Sequence, residues 1–225
     1  MSMYMVTQHP KPTMEEVKND YLKTSDAKHL LGKLQKILNC FHSENLFADT
    51  SKEYHTEMSL SCLLVSDKQY KSVHSAVENA KNTLEEIFGL TKCVYVKTTD
   101  VYVKGVDAPN ACSYALPGKK PIIVINIGLV DLMNEMELHA AILHELGHIL
   151  YTHTMYASIM KILFQMLSDG SLVHEALAEL QVQQYNQVRV GMELTADRVM
   201  LLGCQAIIGQ LSKTCSRSWL EVSRK

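Results

Sequence analysis

A chain of 225 residues with 47% hydrophobic and 20% charged residues has the make-up of an ordinary globular protein, long enough to bury about 70% of the surface its unfolded form exposes. The formal net charge is -2, and lysines and arginines are scattered rather than clustered. This excludes the basic stripe that nucleic-acid binding requires, so no nucleic-acid partner is expected.

In chain order, residues 1–12 carry two prolines and little periodicity and are expected to form a flexible tail, with 13–225 as a single domain. Thr13-x-x-Glu16 has the form of a capping box, and Leu30, Leu34, Ile37, Leu38 and Phe41 recur at helical spacing, which predicts one or two helices over 14–42. Residues 43–57 are polar and loop-like, and "SLSCLLV" at 59–65 reads as a short strand. Val73, Val77, Ala80, Leu84 and Ile87 share one face of a helix over 70–88, with Gly89 at its stop. "KCVYVK" and "DVYVK" alternate and predict two strands before the loop "GVDAPNACSYALPGKK". "PIIVINI" at 121–127 is a strand of the type buried on both faces. From Asn134, with Glu137 three positions on, the pattern is helical to the end, interrupted near Asp169-Gly170 and around 186–190.

The six cysteines lie far apart with no C-x-x-C pair, and the first twenty residues lack the apolar core of a secretory signal. Both features predict a reducing, intracellular and cytoplasmic setting. The apolar stretches "TMYASIMKILFQML" and "VMLLGCQAIIGQL" fall short of the ~18 residues a membrane span needs. The Met-rich first of these is read as core or as a lid over a cleft, and peripheral membrane contact is not indicated.

The chemistry concentrates in "ELHAAILHELGHILYTH". Random order of these residues would give H-E-x-x-H in roughly 3% of such chains, so the string alone is suggestive rather than decisive. On a helix His144 and His148 lie about 40° apart and one turn along, so both imidazoles can reach one ion, with Glu145 flanking them. Leu138, Ile142, Leu146 and Ile149 fall on the opposite side, while Ala140, Ala141 and Gly147 lie near the histidine face and would let another helix approach. His153 falls 180° from His144 on a continued helix, among the apolar residues, and is read as a core or helix-end histidine, as are His139 and His174. Cys112 is read as a small packed hydrophobe.

A catalytic zinc needs a third protein ligand. Glu193 in "GMELTADR" is the strongest candidate, with Asp197 one turn on, where it could accept a hydrogen bond from a ligating imidazole. Two carboxylates on one turn of an apolar helix would repel unless positive charge stood nearby. Glu175 and Glu179 in "VHEALAEL" are the rival ligands.

The succession "NACSYALPG", "GLV", "AAILHELGHI" and "ELTADR", from Asp107 to Arg198, resembles the HtpX and CAAX prenyl protease family of gluzincin metallopeptidases. The resemblance implies one Zn²⁺ held by His144, His148 and Glu193, Glu145 as general base, Asp197 orienting a ligand, and a metal-site core within 107–203. It places Arg198 slightly ahead of Tyr151 and His153 as the oxyanion donor. It also implies polypeptide substrates, and, since many members carry transmembrane helices, it admits a membrane association that these residues do not show.

The expected fold is α+β, a zincin-like and mostly helical domain with a sheet of three or four strands packed on the metal helix, its edge lining the cleft. Ile123 and Ile125, in the strand before that helix, are the expected edge for an extended peptide to join. The expected function is a zinc endopeptidase acting on extended or unfolded polypeptides. A catalytically silent zinc-binding or chaperone-like relative is the alternative, and intact Glu145 argues against it.

Overall fold

The structure is a computed structural model, and it describes residues 56, 58, 60–89, 91–116, 119–158 and 188–208. The expected tail, the helices over 14–42, His174 and the rival ligands Glu175 and Glu179 lie outside the described residues.

The order of elements is β1 (Cys62–Leu64), α1 (Lys71–Phe88), α2 (Val94–Thr98), β2 (Asp100–Lys104), β3 (Ala111–Tyr114), β4 (Ile122–Asn126), α3 (Ile127–Leu132) and α4 (Glu135–Leu150). Helical residues 153–158 and 188–208 follow. The strands form one sheet in the order β1-β2-β4-β3. β2 runs parallel to β4, and β1 and β3 run antiparallel to their neighbours. The fold is therefore α+β, with helices outweighing a small mixed sheet.

β4 explains the architecture. Its run Ile122-Ile123-Val124-Ile125 is buried throughout, because successive side chains point to opposite faces and each face has its own core. Ile123 and Ile125 join Val101 and the apolar faces of α1 and α4, including Leu84, Ile142 and Leu146. Ile122 and Val124 meet Met58 and Cys62 on the other side, with Tyr102, Cys112 and Tyr114 packed around them. Each such fully buried aliphatic side chain contributes about 1.5–3 kcal/mol of transfer free energy.

Two expectations about strands are corrected. Val94–Thr98 is a short helix, not a strand. Val96 alone turns into the core there while Val94 and Tyr95 stay exposed, and Thr98 and Thr99 donate their hydroxyls back to the carbonyls of Val94 and Tyr95 at 3.1 and 2.7 Å. Conversely, "ACSY", expected within a loop, is strand β3, in register with Ile122–Ile125 of β4.

The loop before β3 is fixed from beneath. Asn126 Nδ2 donates to Ala108 O at 2.8 Å, Asn126 N to Asn110 O at 2.9 Å and Gly128 N to Val106 O at 3.1 Å. A Cβ at Gly128 would fall 1.8 Å from Asp107 O, a distance no side chain tolerates. Gly128→Ala should therefore displace this loop at a cost of about 1–3 kcal/mol. A fall in thermal midpoint by several degrees, read by calorimetry, is the expected result, and an unchanged midpoint would show that the loop is not packed as described.

Candidate metal centre

α4 is built to hold its side chains still. Asn134 caps it, accepting from Met136 N and Glu137 N at 3.0 and 3.1 Å, while Glu137 Oε2 accepts from Asn134 N at 3.0 Å. Reciprocal capping of this kind contributes about 1 kcal/mol. Leu138, Ile142, Leu143, Leu146 and Ile149 bury the opposite face. His144 and His148 are thereby left together on the remaining face, half-buried beside the cleft.

The approach of a second helix decides what they meet. A Cβ added to Gly147 would lie 3.1 Å from Val199 Cβ and 3.2 Å from Ala196 Cα, so helical residues 188–208 pass against α4 at the point where α4 has no side chain. Farther along the same contact, Gly203 lies against Leu143, with 2.6 Å between a built Cβ and Leu143 Cδ1. This packing sets Glu193 Oε2 at 3.3 Å from His144 Nε2 and 3.4 Å from His148 Nε2. The two Nε2 atoms are 3.1 Å apart.

Those three separations carry chemical information. Donors about 2.0–2.1 Å from a tetrahedral Zn²⁺ stand about 3.3–3.4 Å from one another. Two imidazole nitrogens and one carboxylate oxygen form a triangle of that size here, the donor set of a catalytic zinc site with one position left over. The residues present therefore fit the ion. Among the described residues, His144, His148 and Glu193 form the one such group of three or more donors.

The remaining ring nitrogens are also engaged. His144 Nδ1 lies 3.0 Å from Asp197 Oδ1, so that with Nε2 facing the other donors, Nδ1–H donates to the carboxylate. His148 Nδ1 lies 3.1 Å from His153 Nδ1. Burial, which outweighs the opposing pull of Glu145 and Glu193, holds the His148 imidazole below its ordinary pKa, favouring the neutral form that binds metals. His153 is buried and pushed down to about 3 by burial, with His148 and His144 adding to the effect.

The place of His153 differs from the helical-wheel expectation. α4 ends at Leu150 with Tyr151 as its cap, and Thr152 adopts φ +60°, a left-handed conformation that a β-branched residue rarely takes. The turn brings His153 back beneath His148 instead of leaving it on the apolar side. It is buried, as expected of a core histidine, yet it touches a proposed ligand. His139 is also buried, its Nδ1 3.3 Å from Ala76 O.

A cleft of about 410 Å³ opens beside the donors, and Asn110, Ala111, Cys112, Ser113, Glu145, Thr154 and Arg189 help to line it. Its strand wall is β3. Ile123 and Ile125 are fully buried in β4, which is paired on both sides, so the expectation that they form a substrate edge is corrected. β3 occupies that edge because it pairs with β4 along one side, and its other side has no strand partner among the described residues. Cys112 packs partly into the core, and burial raises its thiol pKa.

Arg198 and Tyr151 do not line the cleft, whereas His153 does. Arg198 lies five positions beyond Glu193, about 140° around the helix, whereas Asp197 is only about 40° from it. The expectation of Arg198 as oxyanion donor thus lacks support in the geometry. Arg189, one turn before Glu193, lines the cleft instead.

Comparison with known proteins is decisive on family. The model of "Peptidase family M48" matches residues 75–225, more than half of the chain. The chain belongs to this family. It is 30% identical over 143 residues to the "Plastoglobule-localized metallopeptidase 48, chloroplastic" of Arabidopsis thaliana, covering 60% of this chain and 40% of that protein. It is 33% identical over 66 residues to a "Protease HtpX homolog" of Dictyoglomus thermophilum, covering 29% of this chain and 22% of that protein. A further HtpX homolog, from Campylobacter curvus, is 26% identical over 96 residues, covering 43% of this chain and 34% of that protein. The matched segment thus spans less than half the length of these relatives. No solved structure matches the chain. Among the described residues no helix is long and apolar enough to cross a membrane.

Two outcomes test this M48 site. Gly147→Val keeps every donor but forces the helices apart, and zinc dissociation constants measured against a chelator should rise by about tenfold or more; unchanged affinity would mean that the close approach does not assemble the site. In metal-free protein, the depressed pKa of His153 makes protonation oppose folding. Stability should therefore be full above about pH 6.5 and fall as pH drops towards 3, with His153 accounting for about 2 kcal/mol between pH 6.5 and 5. Denaturant unfolding of wild type and His153→Asn reads this, and an equal loss in both proteins would remove His153 as its source.

Proposed function

We propose that this chain is a zinc-dependent endopeptidase that hydrolyses peptide bonds in extended or unfolded polypeptides. The single observation that carries the reading is the triangle of His144 Nε2, His148 Nε2 and Glu193 Oε2, with edges of 3.1, 3.3 and 3.4 Å, beside a cleft lined by Glu145. Membership in a peptidase family and relatives named as a metallopeptidase and as protease homologs support it.

In this reading His144, His148 and Glu193 hold one Zn²⁺. When bound, the ion supplies Lewis-acid chemistry, lowering the pKa of water and polarising a carbonyl. Glu145 takes the proton of the attacking water and returns it to the departing amine. Asp197 fixes the His144 ring by accepting from Nδ1–H, and His153 takes the corresponding place behind His148. An extended substrate adds to the free edge of β3 through main-chain hydrogen bonds, which recognise backbone and tolerate varied side chains. Its carbonyl is thereby held near Glu145.

Replacement of Glu145 by Gln keeps the shape and removes the base. Zinc content by elemental analysis should remain one per chain, while casein or peptide cleavage falls by about 10²-fold or more. Full turnover in that variant would contradict the assignment of the base. Absence of zinc from the wild-type protein, with no cleavage, would remove the reading as a whole.

A further inference from the structure

Among the described residues, the cleft beside the three donors carries one permanent cation. Glu145 and Glu193 line it, and among the described residues Arg189 is the sole lysine or arginine that does so. Arg189 stands four positions before Glu193, so it lies about 40° around the helix and about 6 Å towards the N-terminal end. The residue is exposed, and the carboxylate of Glu193, its natural partner at that spacing, faces the two imidazoles. Across the cleft, Asn110, Ala111, Cys112 and Ser113 offer no opposing charge.

A guanidinium stays charged at every accessible pH and presents a planar fork that matches a carboxylate in two parallel hydrogen bonds. No ion pair joins that fork to a carboxylate among the described residues, and a carboxylate carried by a ligand in the cleft would match it. An extended peptide advances about 3.3 Å per residue. A helical offset of about 6 Å, with the reach of an arginine side chain added, sets the guanidinium about one to three residues from the bond to be broken. We propose that Arg189 is a specificity-determining residue that selects polypeptides bearing a carboxylate within about three residues of that bond, either an acidic side chain or the free C-terminus of the substrate. This rests on the endopeptidase reading above and deepens it by naming a substrate class.

The test uses one labelled peptide scaffold in three forms: neutral with an amidated end, the same with glutamates flanking its centre, and the neutral form with a free C-terminal carboxylate. Binding is read by fluorescence anisotropy on zinc-loaded Glu145→Gln protein, with and without Arg189→Gln, and cleavage of the same peptides is read on protein retaining Glu145. At least one carboxylate-bearing form should bind about tenfold more tightly than the neutral one, with a matching preference in kcat/KM. Arg189→Gln should bring the forms to parity, Arg189→Lys should keep part of the preference, and added salt should shrink it. Preference for the glutamate form identifies an acidic side chain as the ligand, and preference for the free end identifies the C-terminus. Equal binding of all three forms, no binding of any, or a preference that survives Arg189→Gln overturns the proposal. Carboxylate-dependent binding without cleavage by the Glu145 protein would instead remove the hydrolytic reading and leave the role of Arg189 in ligand selection standing.

Discussion

The contact of helical residues 188–208 with α4 at Gly147 is the constraint on which the metal centre depends. Two histidines a turn apart are a local property of one helix, but a third donor has to arrive by tertiary packing. With Ala196 Cα and Val199 Cβ only 3.2 and 3.1 Å from the place a Cβ would occupy, the helices meet more closely than a side chain at Gly147 would comfortably allow. Glu193 and Asp197, one turn apart on the arriving helix, then fall on the two sides of the His144 ring, one at Nε2 and the other at Nδ1. Two carboxylates in so small a volume repel each other. Imidazole N–H donors offset part of this repulsion, and a dication held by the three donors would offset the rest.

Around that contact, rigidity is distributed over several local devices. The cap at Asn134 fixes the start of α4, its apolar face anchors it to α1 and the sheet, and the left-handed turn at Thr152 ends it and returns His153 to His148. The cleft wall is held separately, because the loop before β3 is bonded to the junction of β4 and α3. Donors set on helices and a wall set on a paired strand keep their geometry better than loop-borne groups would.

Legibility in the sequence followed locality. The helix over 71–88, β4 and the capped helix from Asn134 were readable because their apolar spacing and end signals lie within a few residues of one another. Glu193 and Asp197 were readable as candidates because carboxylates at that spacing on an apolar helix need a reason. What depends on pairing was not. "ACSY" has a polar setting typical of a loop and becomes a strand only through its register with β4. Ile123 and Ile125 looked suited to an edge, but a second neighbour on β4 takes that edge away. "CVYVK" alternates as a strand would, yet Thr98 and Thr99 bond into their own turn and Val96 alone finds the core. The position of His153 was hidden by a threonine in a conformation that propensity does not anticipate.

Diffraction from zinc-loaded crystals at the zinc absorption edge tests the central claim most directly. The expected result is one anomalous peak per chain, about 2.0–2.2 Å from His144 Nε2, His148 Nε2 and a Glu193 carboxylate oxygen. A peak bound by other residues, or a Glu193 carboxylate turned away from a metal that both imidazoles hold, would contradict it.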